Sequence, residues 1–387
     1  MTTKNNIPSG YKDSAVGIIP QEWKVDRLGE ICLTFKSGTT ITSQNIKESG
    51  LYPVYGGNGL RGYTDSYTHN GDYILIGRQG ALCGNINFIR GKAYISEHAI
   101  AVQPNEINSI EFLRYKLDFW NLNRFSESSA QPGLSVEKLV RYKLAVPPME
   151  EQRKIAEILG VWDEAIEKQS RLIEKLELRK RALMQRLLTG RTRLPAFTTP
   201  WQKVKLGEIF KERNETKCEH LPLLSITAER GVILQSESDK KDTSNDDKSK
   251  YKRICPNDIG YNTMRMWQGR SALSAMEGIV SPAYTIVTPK VGIDPLFISE
   301  LIKQPRVVYD FWTHSQGLVG DTLNCKFHDF SQVKVAIPSL PEQKAIAEVL
   351  TVADKEIAIH RKKLDALRLQ KRGLMQQLLT GKTRVKI

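Results

Sequence analysis

The sequence predicts an α+β (mixed α/β) protein: two globular units separated by two long antiparallel coiled-coil helices, related by a pseudo-two-fold axis. Three observations predict it. Residues 146–194 match residues 337–385 without a gap at a shift of 191, with about 23 of 49 positions identical, and self-similarity on this scale marks a duplicated structural unit. Each copy carries apolar residues at alternating steps of four and three, which is a heptad seam. The segment before each copy holds short extended runs broken by turn residues and followed by a helical stretch. The chain thus divides into a globular unit over 1–149, a long helix over 150–194, a second globular unit over 195–340 and a second long helix over 341–387.

In order, the first unit is expected to form strands at 52–55, 71–76, 93–95 and 99–102 and a helix at 110–120. The first long helix runs its seam through Ile155, Leu159, Trp162, Ile166, Ile173, Leu176, Leu183 and Leu187, with polar Gln169 and Lys180 at the missing positions. The second unit is expected to place strands at 258–261 and 283–287 and a helix at 295–303. The second seam runs through Ile346, Leu350, Ala353, Ile357, Leu364, Leu367, Leu374 and Leu378, and its breaks, His360 and Lys371, fall at the same places. Prolines precede each helix (Pro147, Pro148; Pro338, Pro341) and a glycine follows it (Gly190; Gly381), the expected start and stop signals. Roughly 38 residues span ~57 Å at 1.5 Å per residue. A striped helix must bury its stripe. The simplest partner is the other copy, and the alternative is that each packs on its own globular unit.

A length of 387 residues favours two or more domains. The apolar runs fall far short of the ~18 residues a membrane helix needs, and residues 1–17 hold no apolar core of a signal peptide. Five scattered cysteines without a CxxC pair read as reduced thiols of a cytoplasmic protein. The net charge is +14, of which residues 151–194 carry +4 and 342–387 carry +6, while each globular unit carries about +2. A basic surplus draws nucleic acid, anionic membrane or acidic protein without choosing among them.

Catalytic motifs fail on inspection. Gly57-x-Gly59-x-x-Gly62 has dinucleotide spacing but leads into Tyr63-Thr64-Asp65-Ser66-Tyr67 rather than an apolar helix. Gly381-Lys382-Thr383 resembles the end of a phosphate loop, yet Gln376 stands where the first glycine is required, and the segment ends a helix. The six histidines show no metal-ligand spacing, and neither a G-x-S-x-G elbow nor an Asn/Asp-Pro-Pro-aromatic tetrapeptide occurs. No catalytic residue, metal site or cofactor is expected on this chain.

The interiors align loosely: Gly80 with Gly269, Ser96 with Ser281, Pro104 with Pro289, and Arg78-Gln79 with the stretch from Arg265 to Gln268. The motifs Pro53-Val54-Tyr55-Gly56-Gly57-Asn58-Gly59, Ile76-Gly77-Arg78-Gln79-Gly80, Pro132-Gly133-Leu134-Ser135 and Val280-Ser281-Pro282-Ala283-Tyr284 join the paired Glu-Gln-x-x-Ile-Ala and Leu-Met-Gln-x-Leu-Leu-Thr-Gly helix ends. With the order unit, helix, unit, helix, the chain resembles the specificity subunit of Type I restriction–modification systems over nearly its whole length. The resemblance implies a non-catalytic subunit whose two target-recognition domains each read half of a split, asymmetric site in double-stranded DNA. It implies that the helices set the spacer and dock two methyltransferase subunits, which methylate adenine N6 from S-adenosylmethionine. Motor-nuclease subunits complete the complex, so S-adenosylmethionine, ATP and Mg are expected on partner subunits.

Base reading favours Arg on guanine and Asn or Gln on adenine. The candidates are Asn58, Arg61, Arg78 and Gln79 in the first unit and Asn262, Arg265, Gln268 and Arg270 in the second, with Trp267 able to pack on a sugar or base. The alternative for Arg78 and Arg265 is a structural pairing with Asp72 and Asp258. The Lys-rich stretch 240–252 reads as a solvated loop. Two other functions stay open: a scaffold joining two proteins through the helices, and an enzyme with an unfamiliar site. Divergent, loop-rich units favour DNA reading over the scaffold. The lack of a carboxylate cluster with metal-ligand spacing disfavours a nuclease.

Overall fold

The apolar run Tyr73-Ile74-Leu75-Ile76-Gly77 forms a strand buried on both faces. Side chains alternate along a strand, so Ile74 and Ile76 enter one cluster with Ile100, Val102, Leu113 and Leu117. Leu75 enters another with Ile95, Ala99 and Ala101. In the computed structural model, which describes residues 7–80, 82–126, 133–227, 230–238, 246–317 and 323–387, this strand is central to a four-stranded antiparallel sheet. Its order is Cys32–Ser37, Ala99–Pro104, Tyr73–Gly77, Ile86–Ile89. A second sheet orders Gly59–Thr64, Tyr52–Gly56, Lys92–Ile95 and His69–Asn70, with Tyr52–Gly56 and Lys92–Ile95 parallel. The helix Ile110–Phe119 starts at Ser109, whose side chain accepts from the Phe112 N–H, a standard N-cap.

Two units emerge: Met1–Ser170 with Lys362–Ile387, and Arg171–Arg361. The second repeats the sheet order of the first, as Phe210–Arg213, Tyr284–Pro289, Ile259–Asn262, Ser271–Leu273. Asp294 caps its helix Pro295–Leu301 as Ser109 does in the first, accepting from the Phe297 N–H.

The long helices run Met149–Leu187 and Leu340–Leu378. In the first unit Asp163 pairs with Lys371 at 2.5 Å and Glu151 with Arg384 at 2.7 Å. In the second, Lys180 pairs with Asp354 at 2.6 Å, Glu177 with Arg361 at 2.5 Å and Arg193 with Glu342 at 2.6 Å. Within each unit, moving forward along one chain segment moves backward along the other, so the segments are antiparallel. The seam breaks Lys180 and Lys371 thus hold equivalent ion pairs, 191 residues apart.

Of the seam residues, Ile155, Leu159, Leu176, Ile346, Leu350 and Ile357 are buried, while Ile166, Leu183, Leu367 and Leu374 are half-buried. Ile155 and Leu159 pack with Met375, Leu378 and Leu379 and also with Phe112 and Tyr115. Ile346 and Leu350 pack with Leu187 and Leu188 and also with Phe297 and Leu301. The two packing alternatives for the stripe are therefore both realised, because near its end each helix meets the other copy and a globular core together.

Each junction is built from the repeated Glu-Gln. The buried Glu151 carboxylate accepts from Arg384 Nε (2.7 Å), Arg384 Nη2 (3.0 Å) and Trp23 Nε1 (3.0 Å). Glu342 accepts from Arg193 Nε (2.6 Å), Arg193 Nη2 (2.7 Å) and Trp201 Nε1 (3.4 Å). Gln152 Oε1 accepts from the Ser109 N–H at 2.8 Å, and Gln343 Oε1 from the Asp294 N–H at 2.9 Å. These side chains fix the capped helix of each unit to the start of a long helix.

Candidate nucleic-acid interface

At the end of the central strand the first unit gathers its polar residues. The hairpin Tyr52–Gly56/Gly59–Thr64 turns through Gly57 and Asn58, with Gly59 at φ +96°. A Cβ on Gly57 would lie 2.6 Å from the His98 carbonyl oxygen, and one on Gly77 would lie 2.7 Å from the Gly57 carbonyl oxygen. Only glycine at both positions lets the hairpin tip sit against the strand end. Arg61 crosses over Gly56, where a Cβ would meet its Cδ at 2.6 Å. Arg78 follows Gly77 and is anchored by its backbone: its N–H donates to His98 O at 2.9 Å, and its carbonyl accepts from the Leu134 N–H at 2.9 Å. Asn58, Arg61 and Gln79 are exposed and Arg78 half-buried. The structure brings these four together and adds His98, which the sequence reading missed.

The alternative pairings, Arg78 with Asp72 and Arg265 with Asp258, are not the ones found. Asp72 faces Arg90 at 3.6 Å. Asp258 is buried and held by Arg213 at 2.7 Å, and it also accepts from Thr288 Oγ1 at 2.6 Å and the Cys255 N–H at 2.8 Å. Among the described residues the guanidinium groups of Arg61 and Arg78 have no ion-pair or hydrogen-bond partner.

The second unit repeats the address with other chemistry. The Thr263 N–H donates to Ala283 O at 3.2 Å, and its carbonyl accepts from the Cys325 N–H at 2.9 Å. These are the two bonds that anchor Arg78, so Thr263 stands where Arg78 does, Met264 where Gln79 does, and Ala283 where His98 does. The alignment of Ser96 with Ser281 leads to the same register. The alignment of Arg78-Gln79 with residues 265–268 is corrected, since a polar loop has no periodicity to set its register. In that loop Asn262 Oδ1 accepts from the Met264 N–H at 3.0 Å, and Trp267 Nε1 donates to Met264 O at 3.0 Å. Both side chains are tied into the loop itself. Arg265 is half-buried, and Gln268 and Arg270 are exposed. Gly269, at φ +72°, lies against Val308.

Beside Thr263 a cleft of about 680 Å³ is lined by Met264, Ala283, Asn324, Lys252 and Lys326. The hairpin Leu224–Thr227/Gly231–Leu234 corresponds to the first unit's hairpin, since Leu223 bridges Ile279 in parallel as Val54 pairs Tyr94. Its exposed Arg230 was also missed; the matching Pro53 and Pro222 were the available signal. Pro132 and residues 240–245 of the Lys-rich stretch 240–252 lie outside the described residues. Among the described residues, no three His, Cys, Asp or Glu side chains gather as a metal site requires, and no helix is long and apolar enough to cross a membrane.

The family model described as Type I restriction modification DNA specificity domain matches residues 20–178 and 298–369. The Escherichia coli Type I restriction enzyme EcoprrI specificity subunit is 44% identical over 159 residues, 40% of this chain and 39% of that one, so the chain matches about two fifths of that relative's length. A putative type I restriction enzyme MjaX specificity subunit from Methanocaldococcus jannaschii is 26% identical over 97% of each chain. Among solved structures, the Type I restriction–modification S subunit from M. genitalium aligns at a TM-score of 0.59 and 15% identity, over 98% of each chain. At that identity the likeness speaks for the fold alone.

Proposed function

Because this chain belongs to the Type I restriction modification DNA specificity family, we propose that it is a non-catalytic subunit that reads a split, asymmetric site in double-stranded DNA. Residues 1–149 and 195–340 act as target-recognition domains for one half-site each. The segments 150–194 and 341–387 act as antiparallel spacer helices under a pseudo-two-fold axis. The subunit works in the cytoplasm, directing methyltransferase and motor-nuclease partners that hold the S-adenosylmethionine, ATP and Mg.

One observation carries this reading. Two units that share the order of one four-stranded sheet and one pair of anchoring bonds present Arg78, Gln79 and His98 in one case and Thr263, Met264 and Ala283 in the other. A shared scaffold with different polar groups at one address is what reading two different half-sites requires. Arg and Gln offer the hydrogen-bonding edges that match guanine and adenine, whereas Met and Ala favour contact with a thymine methyl. Affinity comes from phosphate contacts, and with only about +2 on each globular segment the partners and helices supply much of it.

The repeat also bears on the partners. Val161 is 62% exposed and Val352, 191 positions later, 58%; Leu178 is 57% exposed and Leu369 67%. Exposed apolar residues at equivalent places support two copies of one partner. Co-expression with the cognate methyltransferase subunit, followed by long-read methylation mapping, tests the whole reading. A split motif methylated only when this chain is present is the expected result. Unchanged methylation despite a formed complex would leave a protein scaffold as the better description.

A further inference from the structure

We propose that Gln79 is a base-reading side chain selecting an adenine in the first unit's half-site, and that His98 and Glu97 are its positioning residues; this rests on the specificity-subunit reading above. An exposed glutamine ordinarily samples many rotamers and can present either end of its amide. Gln79 is exposed but not alone. Its Oε1 lies 3.2 Å from His98 Nδ1. The other ring nitrogen, Nε2, lies 3.3 Å from Glu97 Oε1. Glu97 Oε2 in turn accepts from the Ile41 N–H at 3.3 Å. Both imidazole nitrogens thus face oxygen, and a ring N–H at Nδ1 donates to the Gln79 Oε1 it faces. The amide is held through a relay that ends on the backbone.

The relay sets what Gln79 shows to solvent. Donation from His98 takes one Oε1 lone pair and fixes which end of the amide is oxygen. What remains is one acceptor beside the Nε2 donors, the pattern complementary to N6 and N7 of adenine in the major groove. Guanine, with two acceptors on that edge, does not match it. Side chains preorganised by a supporting shell lose less freedom on binding.

The second unit shows that the fold does not need this relay. At the addresses of Gln79, Glu97 and His98 it has Met264, Pro282 and Ala283, on the same sheet and with the same anchoring bonds. Three polar groups in contact in one unit and three groups incapable of that contact in the other assign the relay to recognition rather than to folding.

The test maps methylation by the complex carrying Gln79→Ala, Gln79→Glu or His98→Ala, with the other half of the motif as internal control. For Gln79→Ala, one adenine position in one half-site relaxes, with discrimination falling about 5- to 150-fold. The remaining positions and the other half-site stay as in the parent. His98→Ala relaxes the same position by a smaller factor, a change of base choice that mere loss of stability would not produce. Should a variant give no methylation, binding of its complex to duplexes substituted one base at a time in that half-site replaces the mapping. An unchanged motif, relaxation at a base other than adenine, or equal weakening on every duplex would overturn the proposal. A parent complex without any split motif would instead overturn the specificity reading itself.

Discussion

Glu151 shows how much one residue carries in this chain. It is wholly buried and takes three charge-assisted or indole hydrogen bonds. Removing one partner of a buried pair leaves an uncompensated charge, at a cost of about 3–5 kcal/mol. Arg384→Met should therefore lower the unfolding free energy of the first unit by about that amount, read from its urea unfolding curve. Lys116 makes a second case. Its ammonium is buried and donates to the Leu379 carbonyl at the end of the second long helix, a favourable site for a cation. Burial nevertheless lowers its pKa from the usual 10.5 to about 8. Between those values the unfolded chain holds more protons than the folded one, so stability rises with pH across that window. Counting from the equivalent caps Ser109 and Asp294, the second unit has buried Leu301 at the same place. Lys116→Leu should fold and abolish this rise, which urea titrations at pH 7.5 and pH 10 would measure. None of these pairings was legible in the sequence. Arg193, Arg384 and the Glu-Gln pairs were visible as repeated letters, but identity at a fixed shift does not say which residue meets which.

At the scale of elements, the long helices were the most legible feature. Prolines and glycines bracket them, and a seam sustained over about nine turns leaves little ambiguity. The partners of the seam breaks were not legible, because a heptad pattern weighs apolar residues and passes over Asp163 and Asp354. The strand Tyr73–Gly77 is legible as a short extended apolar run after the turn residues Gly71-Asp72, whereas the loop after it was placed out of register by polar letters that carry no period. The helices also yield two tests. Ile357 is buried in the second unit's pairing, so Ile357→Asp should destabilise that unit by more than about 3 kcal/mol. Limited proteolysis would show cleavage beginning within 171–361. On the solvent side, Val161→Asp combined with Leu369→Asp should leave folding intact and reduce bound methyltransferase from two copies to one, as read by the mass of the purified complex. Retention of both copies would place the docking surface elsewhere.

For the molecule as a whole, the duplication made the architecture readable before any single contact was known. What it could not supply was the chemistry of the proposed recognition sites, since the two units diverge there. Exchanging residues 195–340 for the corresponding segment of a relative should change one half of the methylated motif and leave the other intact. The discontinuity of the first unit has a further consequence, for the order of events on the ribosome. Domains emerging from synthesis generally fold from the N-terminus onward. Here the unit begun first cannot finish first, because Glu151 waits for Arg384 and Lys116 for the carbonyl of Leu379. The unit formed by Arg171–Arg361 is continuous and can complete its core while the first still lacks its last helix. A chain truncated after Arg361 would therefore carry a second unit with all its segments present and a first unit left open.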